Sequence, residues 1–361
     1  MGNCLSSSTK STSEIAPFDC VKPTISGSAY AAATAGVPAR VSAPQRLGAP
    51  VVATASDRAT GTATVRLSGP PNSLVTSYVR FALLHKRVPL RFVPSEDQKP
   101  TIQLGSDTVS GSKEILVGFI EKKFPEPRLM MGKFNLEGFD DSTPLIARVT
   151  WLQHKSMVWH VERMARWAED LAARGGRKAA DPSAGTPRME MRKFGKNYSQ
   201  LQELMLEHAQ MEERIIFPVL EAVDRGVCKS ANEEHGRELP IMNGIKEDIK
   251  SIGVLDSGTS VCSEALFSLV SRLNALQERC KGHFVEEEKD LLPLVEAAEL
   301  SKEQQKKLLN ESFEVMRGTH SHLLDFLLEG MLPIEAMQYL DLIMKFGDAN
   351  LISSMLSRNI G

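Results

Sequence analysis

Two stretches of the chain, HAQMEERIIFP from His208 and HFVEEEKDLLP from His283, repeat one pattern. In each stretch a glutamate follows the histidine by four residues, a second glutamate comes next, and a proline stands ten residues after the histidine. Residues four apart lie on one side of an α-helix, about one turn apart. Each stretch therefore predicts a helix that presents an imidazole and a carboxylate together.

The spacing of apolar residues predicts four long helices around these stretches. The first begins at Thr143-Pro144, with Thr143 as its cap, and ends at Arg174; its apolar stripe includes His154, whereas His160 lies well off the stripe. The second runs from Pro187 to Val223, and the fourth from Ser263 to Glu299. The third begins at Ser230, with Glu233 completing a capping box; it has His235 and Leu239 among its inward residues and tolerates a kink at Pro240.

Carboxylates on apolar helix faces are costly unless a positive group compensates them, and no lysine or arginine shares these stripes. A single core histidine is more often satisfied by hydrogen bonds, but the repeated motif favours a metal site. Imidazole mixed with carboxylate suits iron, manganese or zinc. Six ligands exceed the needs of one tetrahedral zinc, which favours a two-metal centre with bridging carboxylates. The predicted ligands are His154, His208, Glu212, His235, His283 and Glu287.

Both HxxxEE stretches, together with NEEHGREL around His235 and WLQHKSMVWH around His154, resemble the hemerythrin family, also called the His-His-Glu cation-binding domain. The resemblance implies a four-helix up-down bundle over residues 143–300 that holds a non-haem di-iron centre. Oxygen-carrying members have a second histidine one turn after the first on the third helix. This chain has Leu239 there, which makes it closer to plant and animal iron-sensing members. It lacks the cysteines for the RING module to which such sensors can be joined.

Residues 63–133 predict a small α/β domain: strands at Ala63–Ser68, Leu90–Val93 and Thr101–Leu104, and helices at Ser73–Lys86 and Ser112–Phe124. The stretch resembles the thioredoxin-like N-terminal half of glutathione S-transferases. The resemblance implies a cis peptide before Pro100 and a glutathione contact at Ser112. Ser73 is the nearest match to the family's catalytic position. The connector before Pro100 is too short for the family's usual second helix, which favours a non-catalytic remnant.

The first 62 residues are rich in Ser, Thr, Ala, Gly and Pro, a composition that predicts disorder. Gly2, followed by Ser6, fits N-myristoylation, and Cys4 is placed for palmitoylation. Two acyl chains anchor a protein stably, whereas one does not. We therefore expect the protein at the cytoplasmic face of the plasma membrane, with the cytoplasm as the alternative. Five scattered cysteines and no secretory signal also indicate a reducing compartment.

Residues 301–361 predict a helical extension with helices at Ser301–Met316 and Pro333–Phe346. His320 and His322 lie between those helices without a nearby cluster of carboxylates. We therefore expect them to be core or surface residues rather than a second metal site.

The favoured function is a membrane-tethered iron sensor, or a redox or oxygen regulator, whose metal gates contact with a protein partner. The alternatives are an enzyme, either a glutathione transferase or a di-iron oxidase, and a metal-free scaffold. No catalytic residue stands out, and the intact ligand set counts against the scaffold. The net charge of −2 gives no reason to expect nucleic acid as a partner.

Overall fold

A computed structural model of the chain describes residues 64–71, 73–97, 99–129, 142–178 and 186–347, all within one compact unit. The segment predicted to be disordered, and with it Gly2 and Cys4, lies outside the described residues. No helix in the described ranges is both long and apolar enough to cross a membrane. The three cysteines that the structure describes (Cys228, Cys262 and Cys280) are buried free thiols.

The first part is a four-stranded sheet with two helices, in the order β1 (Val65–Gly69), α1 (Leu74–His85), β2 (Leu90–Pro94), β3 (Thr101–Leu104), β4 (Asp107–Ser110) and α2 (Lys113–Lys123). The strand order is β2-β1-β3-β4; β1 and β2 are parallel, and the other pairs are antiparallel. The inward residues of β1, Val65 and Leu67, are fully buried and belong to one core with the apolar side of α1. The predicted strands and helices are confirmed. Strand β4 was missed because its residues, DTVS, are mostly polar and exposed; only its hairpin with β3 defines it.

The second part contains the four long helices of the bundle. They are α3 (Leu145–Ala173), α4 (Pro187–Met211), α6 (Lys229–Val254) and α7 (Ser260–Glu286). Helix α4 continues through a π-helical turn, Glu212–Ile216, into α5 (Phe217–Val223). Helix α7 continues through a second π-helical turn, Glu287–Leu291, towards α8 (Leu294–Ala297). The long helices pack as a closed ring, α3 on α4, α4 on α6, α6 on α7 and α7 on α3.

Three predicted helix starts are wrong by one to three residues. Helix α7 begins at Ser260, with Thr259 as its cap, three residues before the predicted Ser263. Helix α3 begins at Leu145 with Pro144, not Thr143, in the capping position. Helix α6 begins at Lys229 with Cys228 before it, so Ser230 already lies inside the helix and forms no capping box with Glu233. Pro240 is accommodated inside α6, since the residue four positions earlier, whose carbonyl loses its partner, is Gly236.

The last part is a helical extension that packs against the bundle: α9 (Lys302–Val315), α10 (Arg317–Ser321), α11 (Leu324–Glu329) and α12 (Pro333–Phe346). Helices α9, α11 and α12 contact α3, and α12 also contacts α1. Helix α3 is therefore covered on two sides. As a result, His160 is fully buried and stacks on Phe326 with ring centroids 3.7 Å apart, although its own helix pattern placed it off the apolar stripe.

Candidate metal centre

The two repeated stretches fold in the same way. His208 lies in the last turn of α4 and Glu212 opens the π-helical turn; His283 and Glu287 hold the same places at the end of α7. In each turn the carbonyl of the glutamate accepts a hydrogen bond from the amide five residues later, on Phe217 or Leu292. The next residue is the proline of the motif, which has no N–H to donate. The wider turn thus suits the proline and places the glutamate at a break in the helix, where π-turns often mark functional sites.

One half of the centre joins α3 and α4. The Nε2 atoms of His154 and His208 are 3.1 Å apart. Oε1 of Glu212 lies 3.1 Å from Nε2 of His208 and 3.5 Å from Nε2 of His154. These three residues offer ligand atoms that lie within 4.8 Å of one another, which is close enough to hold one cation.

The other half joins α6 and α7. Nε2 of His235 lies 3.4 Å from Oε2 of Glu212, and Nε2 of His283 lies 3.2 Å from Oε1 of Glu287. These four residues also offer ligand atoms within 4.8 Å of one another. The structure therefore brings all six predicted ligands together, as two adjoining groups.

Both carboxylates reach across the two halves. Glu212 turns Oε1 towards His154 and His208 and Oε2 towards His235. Glu287 turns Oε1 towards His283, and its Oε2 lies 3.5 Å from Nε2 of His154. A carboxylate with one oxygen on each side is the geometry that bridges two cations. The arrangement therefore favours two neighbouring metal ions over one.

The ligand atoms that face the centre are placed to bind metal ions rather than to form hydrogen bonds with one another. His283 Nε2, Glu212 Oε2 and both carboxylate oxygens of Glu287 are buried and make no hydrogen bond, although partners lie only 3.2 to 3.5 Å away. Buried polar atoms without hydrogen bonds are costly. Lone pairs that converge on a common point without bonding each other are satisfied by cations placed at that point, so the donor set fits a metal.

An outer ring of acceptors orients three of the four histidines. Nδ1–H of His154 donates to Glu288 at 3.0 Å, and Nδ1–H of His235 donates to Glu213 at 2.9 Å. Nδ1 of His208 lies 3.0 Å from Oε1 of Gln153. Because a carboxylate can only accept, the proton stays on Nδ1 and Nε2 faces the centre, the usual support of a metal-bound histidine.

These hydrogen bonds give a role to the second glutamate of each HxxxEE stretch. The sequence pattern includes this glutamate but did not predict its function. The first glutamate faces the centre, and the second holds a histidine on a different helix. The repetition of the Glu-Glu pair in both stretches was the signal.

The electric field of the centre is strongly negative. Burial alone would lower the pKa of His154, but the carboxylates of Glu212 and Glu288 outweigh it and raise the pKa to about 10. For His235 the carboxylates of Glu212 and Glu213 likewise outweigh burial and raise the pKa to about 9. The site attracts positive charge, which is a property that a cation-binding centre requires.

The predicted inward position of Leu239 on α6 is wrong. Leu239 is 42% exposed, while Glu238 beside it is 5% exposed, and burial raises the pKa of Glu238. The inward face of α6 follows His235, Glu238, Met242 and Ile245, the alternating three- and four-residue steps of a helix stripe. Position 239 therefore does not face the centre, and Glu238 takes the inward place next to it.

Two of the residues that resembled a glutathione site stand at helix starts. The Ser73 hydroxyl caps α1 by accepting from the amide of Thr76 at 3.4 Å, and Ser112 stands at the start of α2. The peptide bond before Pro100 is trans, since the cis bond in the described residues precedes Pro127. This corrects the cis expectation that came with the glutathione S-transferase resemblance.

His320 and His322 take the core and surface places expected of them. His320 is buried, with Nδ1 2.8 Å from the carbonyl of Met316 and Nε2 2.7 Å from the hydroxyl of Tyr339. His322 is exposed and pairs with Glu203 at 3.0 Å.

Comparison with known families agrees with this geometry. Residues 146–295 match the family model of the hemerythrin HHE cation-binding domain, a range that contains all six inward ligands. No curated protein and no solved structure matched the chain significantly. This part of the chain is a hemerythrin HHE cation-binding domain, and the α/β sheet and the C-terminal extension lie on either side of it.

Proposed function

We propose that the protein is a non-haem di-iron-binding regulator, an iron sensor or a redox or oxygen sensor, tethered to a membrane by N-terminal acyl chains. The observation that carries the metal part is the sharing of Glu212 and Glu287 between two groups of histidines. His154 and His208 would hold one iron, His235 and His283 the other, and the two carboxylates would join them.

Iron is the metal that we propose for this donor set. Imidazole mixed with carboxylate suits first-row transition metals, while calcium and magnesium prefer oxygen ligands alone. Hemerythrin domains typically bind iron, and the match supports the same metal here. A bound iron pair would supply reversible one-electron chemistry and affinity for small oxygen species. The residues of this chain supply the negative field and the orientation of each imidazole.

A regulator is favoured over an enzyme because the centre is closed. His154, His208, Glu212, His283 and Glu287 are each at most 4% exposed, which leaves access to protons, small gases and metal rather than to an organic substrate. The glutathione alternative is also disfavoured, because the Ser73 hydroxyl is used as a helix cap. We propose that the α/β part is a thioredoxin-like remnant without catalysis, which its strand order β2-β1-β3-β4 supports.

Metal loss is the proposed signal. Without cations, Oε2 of Glu212 and both carboxylate oxygens of Glu287 lack hydrogen-bond partners, which lowers the stability of the bundle. A ligand that binds only the folded state stabilises it by mass action, so metal availability would set the folded fraction and with it the surface offered to a protein partner.

Metal analysis of the full chain tests the di-iron proposal. We expect about two irons per chain, an optical band from oxygen-bridged iron, and a fall in melting temperature when a chelator removes the metal. A fully folded protein that takes up neither iron nor any other transition metal would overturn the proposal. Glu286→Ala serves as control, because Glu286 is exposed beside Glu287 and should keep the metal.

The membrane part of the proposal rests on Gly2, which fits N-myristoylation, and on Cys4, which is placed for palmitoylation. A chain with a C-terminal fluorescent tag should collect at the plasma membrane in cells. Gly2→Ala should release it to the cytoplasm, and Cys4→Ser should weaken its attachment, since one acyl chain gives only marginal binding. Membrane residence of the Gly2→Ala variant would contradict the proposal.

A further inference from the structure

A chain of buried hydrogen bonds leads from the metal centre into the C-terminal extension. Nδ1 of His208 contacts Oε1 of Gln153 at 3.0 Å, and Nε2 of Gln153 contacts the hydroxyl of Tyr339 at 2.8 Å. The same hydroxyl lies 2.7 Å from Nε2 of His320, whose Nδ1 lies 2.8 Å from the carbonyl of Met316. We call these four side chains, His208, Gln153, Tyr339 and His320, the relay.

The relay has only one consistent direction. The carbonyl of Met316 can only accept, so Nδ1 of His320 carries the proton and Nε2 of His320 accepts from the hydroxyl of Tyr339. Because the hydroxyl hydrogen of Tyr339 points to His320, the Tyr339 oxygen accepts a hydrogen bond from the amide nitrogen of Gln153. The amide oxygen of Gln153 then faces His208 and accepts from Nδ1–H. Each hydrogen bond therefore fixes the direction of the next one. At the end of the relay the proton of His208 lies on Nδ1, and Nε2 of His208 is free to face the centre.

The far end of the relay lies outside the matched domain. His208 and Gln153 lie within residues 146–295, whereas His320 is in α10 and Tyr339 is in α12. Tyr339 is fully buried, and Gln153 and His320 are at most 1% exposed, so water does not replace any of the four bonds. In the described residues, His154 and His235 are oriented by glutamates of the bundle, while His208 depends on an amide whose orientation is set from the extension.

We propose that Tyr339, supported by His320, is a positioning residue of the metal centre and that the extension formed by α10 to α12 is therefore part of the metal-binding unit. This inference rests on the proposed metal-binding function. An amide is nearly symmetric in shape and can rotate to present NH2 instead of oxygen. Without the Tyr339 hydroxyl, Gln153 loses the partner that distinguishes its two ends. A rotated Gln153 would donate to Nδ1 of His208 and move the imidazole proton to Nε2, the atom that must bind metal.

The test compares two buried tyrosines. Tyr339→Phe removes the hydroxyl of the relay; Tyr198→Phe is the matched control, since Tyr198 is also buried and donates to the carbonyl of Met242 at 2.7 Å, apart from the relay. For Tyr339→Phe we expect a loss of about 10- to 100-fold in iron affinity, measured by chelator competition, as for other outer partners of metal-bound histidines. Tyr198→Phe should lose stability but keep its iron affinity.

Two further measurements separate positioning from a general weakening of the fold. Nitrogen NMR of metal-free protein labelled on histidine should show the Nδ1–H form of His208 in the wild type and in Tyr198→Phe, and a mixture of forms in Tyr339→Phe. If Tyr339 acts through Gln153, the double variant Gln153→Leu/Tyr339→Phe should bind iron no more weakly than Gln153→Leu alone.

The outcomes distinguish this inference from the function on which it rests. A wild type that binds two irons, with a Tyr339→Phe variant of equal affinity and unchanged His208 form, overturns the role of Tyr339 and leaves the di-iron proposal standing. A wild type that binds no metal removes both. Additive losses in the double variant would show that Tyr339 does not act through Gln153, and would also overturn the inference.

Discussion

The carboxylate of Glu288 lies 3.0 Å from Nδ1 of His154, and this bond ties the π-helical turn after α7 to the middle of α3. Glu213, at the same place in the other HxxxEE stretch, holds His235 of α6 at 2.9 Å. Each repeated stretch thus supplies one ligand pair and one support for a histidine on another helix. Metal binding and the packing of the bundle are therefore linked through the same residues.

The first prediction concerns these supports. Glu288→Ala and Glu213→Ala should each weaken iron binding by about 10- to 100-fold, because the unsupported imidazole can rotate and exchange its proton between nitrogens. Chelator competition measures the affinity, and the exposed Glu286→Ala variant is the control. Unchanged affinity in both support variants would show that the outer bonds do not orient the ligands.

The second prediction concerns the bridging role of Glu212. Because its two oxygens face different histidines, Glu212→Ala should lose both irons. His208→Ala, which removes a ligand from one half only, should keep about one iron per chain. Metal content by mass spectrometry measures the difference. Equal iron content in the two variants would mean that Glu212 serves one ion rather than two.

The third prediction concerns pH and His160, a residue away from the centre. Burial, with the nearby Arg163, lowers the pKa of His160 to about 3, whereas an unfolded histidine titrates near 6.5. Between about pH 3 and pH 6.5, His160 therefore binds a proton in the unfolded state but not in the folded state. The stability contributed by neutral His160 is therefore complete above about pH 6.5 and is lost as the pH falls towards 3, by about 1.4 kcal/mol per pH unit within that window.

Denaturant unfolding of metal-free protein at pH 7, 6 and 5 measures this effect. Wild type should lose more stability on acidification than His160→Gln, whose amide can still donate to the carbonyl of Phe326, the acceptor of His160 at 2.7 Å. A difference between the two proteins that stays constant with pH would contradict the prediction.

The fourth prediction concerns a buried ion pair in the α/β part. The Lys86 side chain is fully buried; its Nζ lies 2.9 Å from Glu121 and donates to the carbonyl of Pro127 at 2.7 Å. Glu121→Ala leaves this ammonium without its counter-charge and should cost about 3 kcal/mol of unfolding free energy. The exposed Glu126→Ala variant is the control for charge alone.

A second substitution separates the effect of the unpaired Lys86 charge from the loss of the other Glu121 contacts. Adding Lys86→Met to Glu121→Ala should recover part of the lost stability, because the buried charge is then gone. Denaturant unfolding of the set measures both steps. The pair would be unimportant if Glu121→Ala were no less stable than Glu126→Ala.

The sequence by itself determined which residues could meet at the centre. Helical periodicity places His208 with Glu212 and His283 with Glu287 on one side of their helices, and the absence of lysine and arginine on those stripes favours a bound cation. It also predicted the long helices and most of the α/β strands, because these have clear apolar periods.

Only the tertiary structure decided what faces each of these residues from other elements. The period of a helix tells which side a residue occupies, but not which helix, or how many layers, will cover that side. The sharing of Glu212 and Glu287, the support of His154 by Glu288, and the contact of Tyr339 with Gln153 all join distant parts of the chain. His160 is buried for the same reason: the extension covers a second side of α3 that the pattern of α3 alone would leave to solvent.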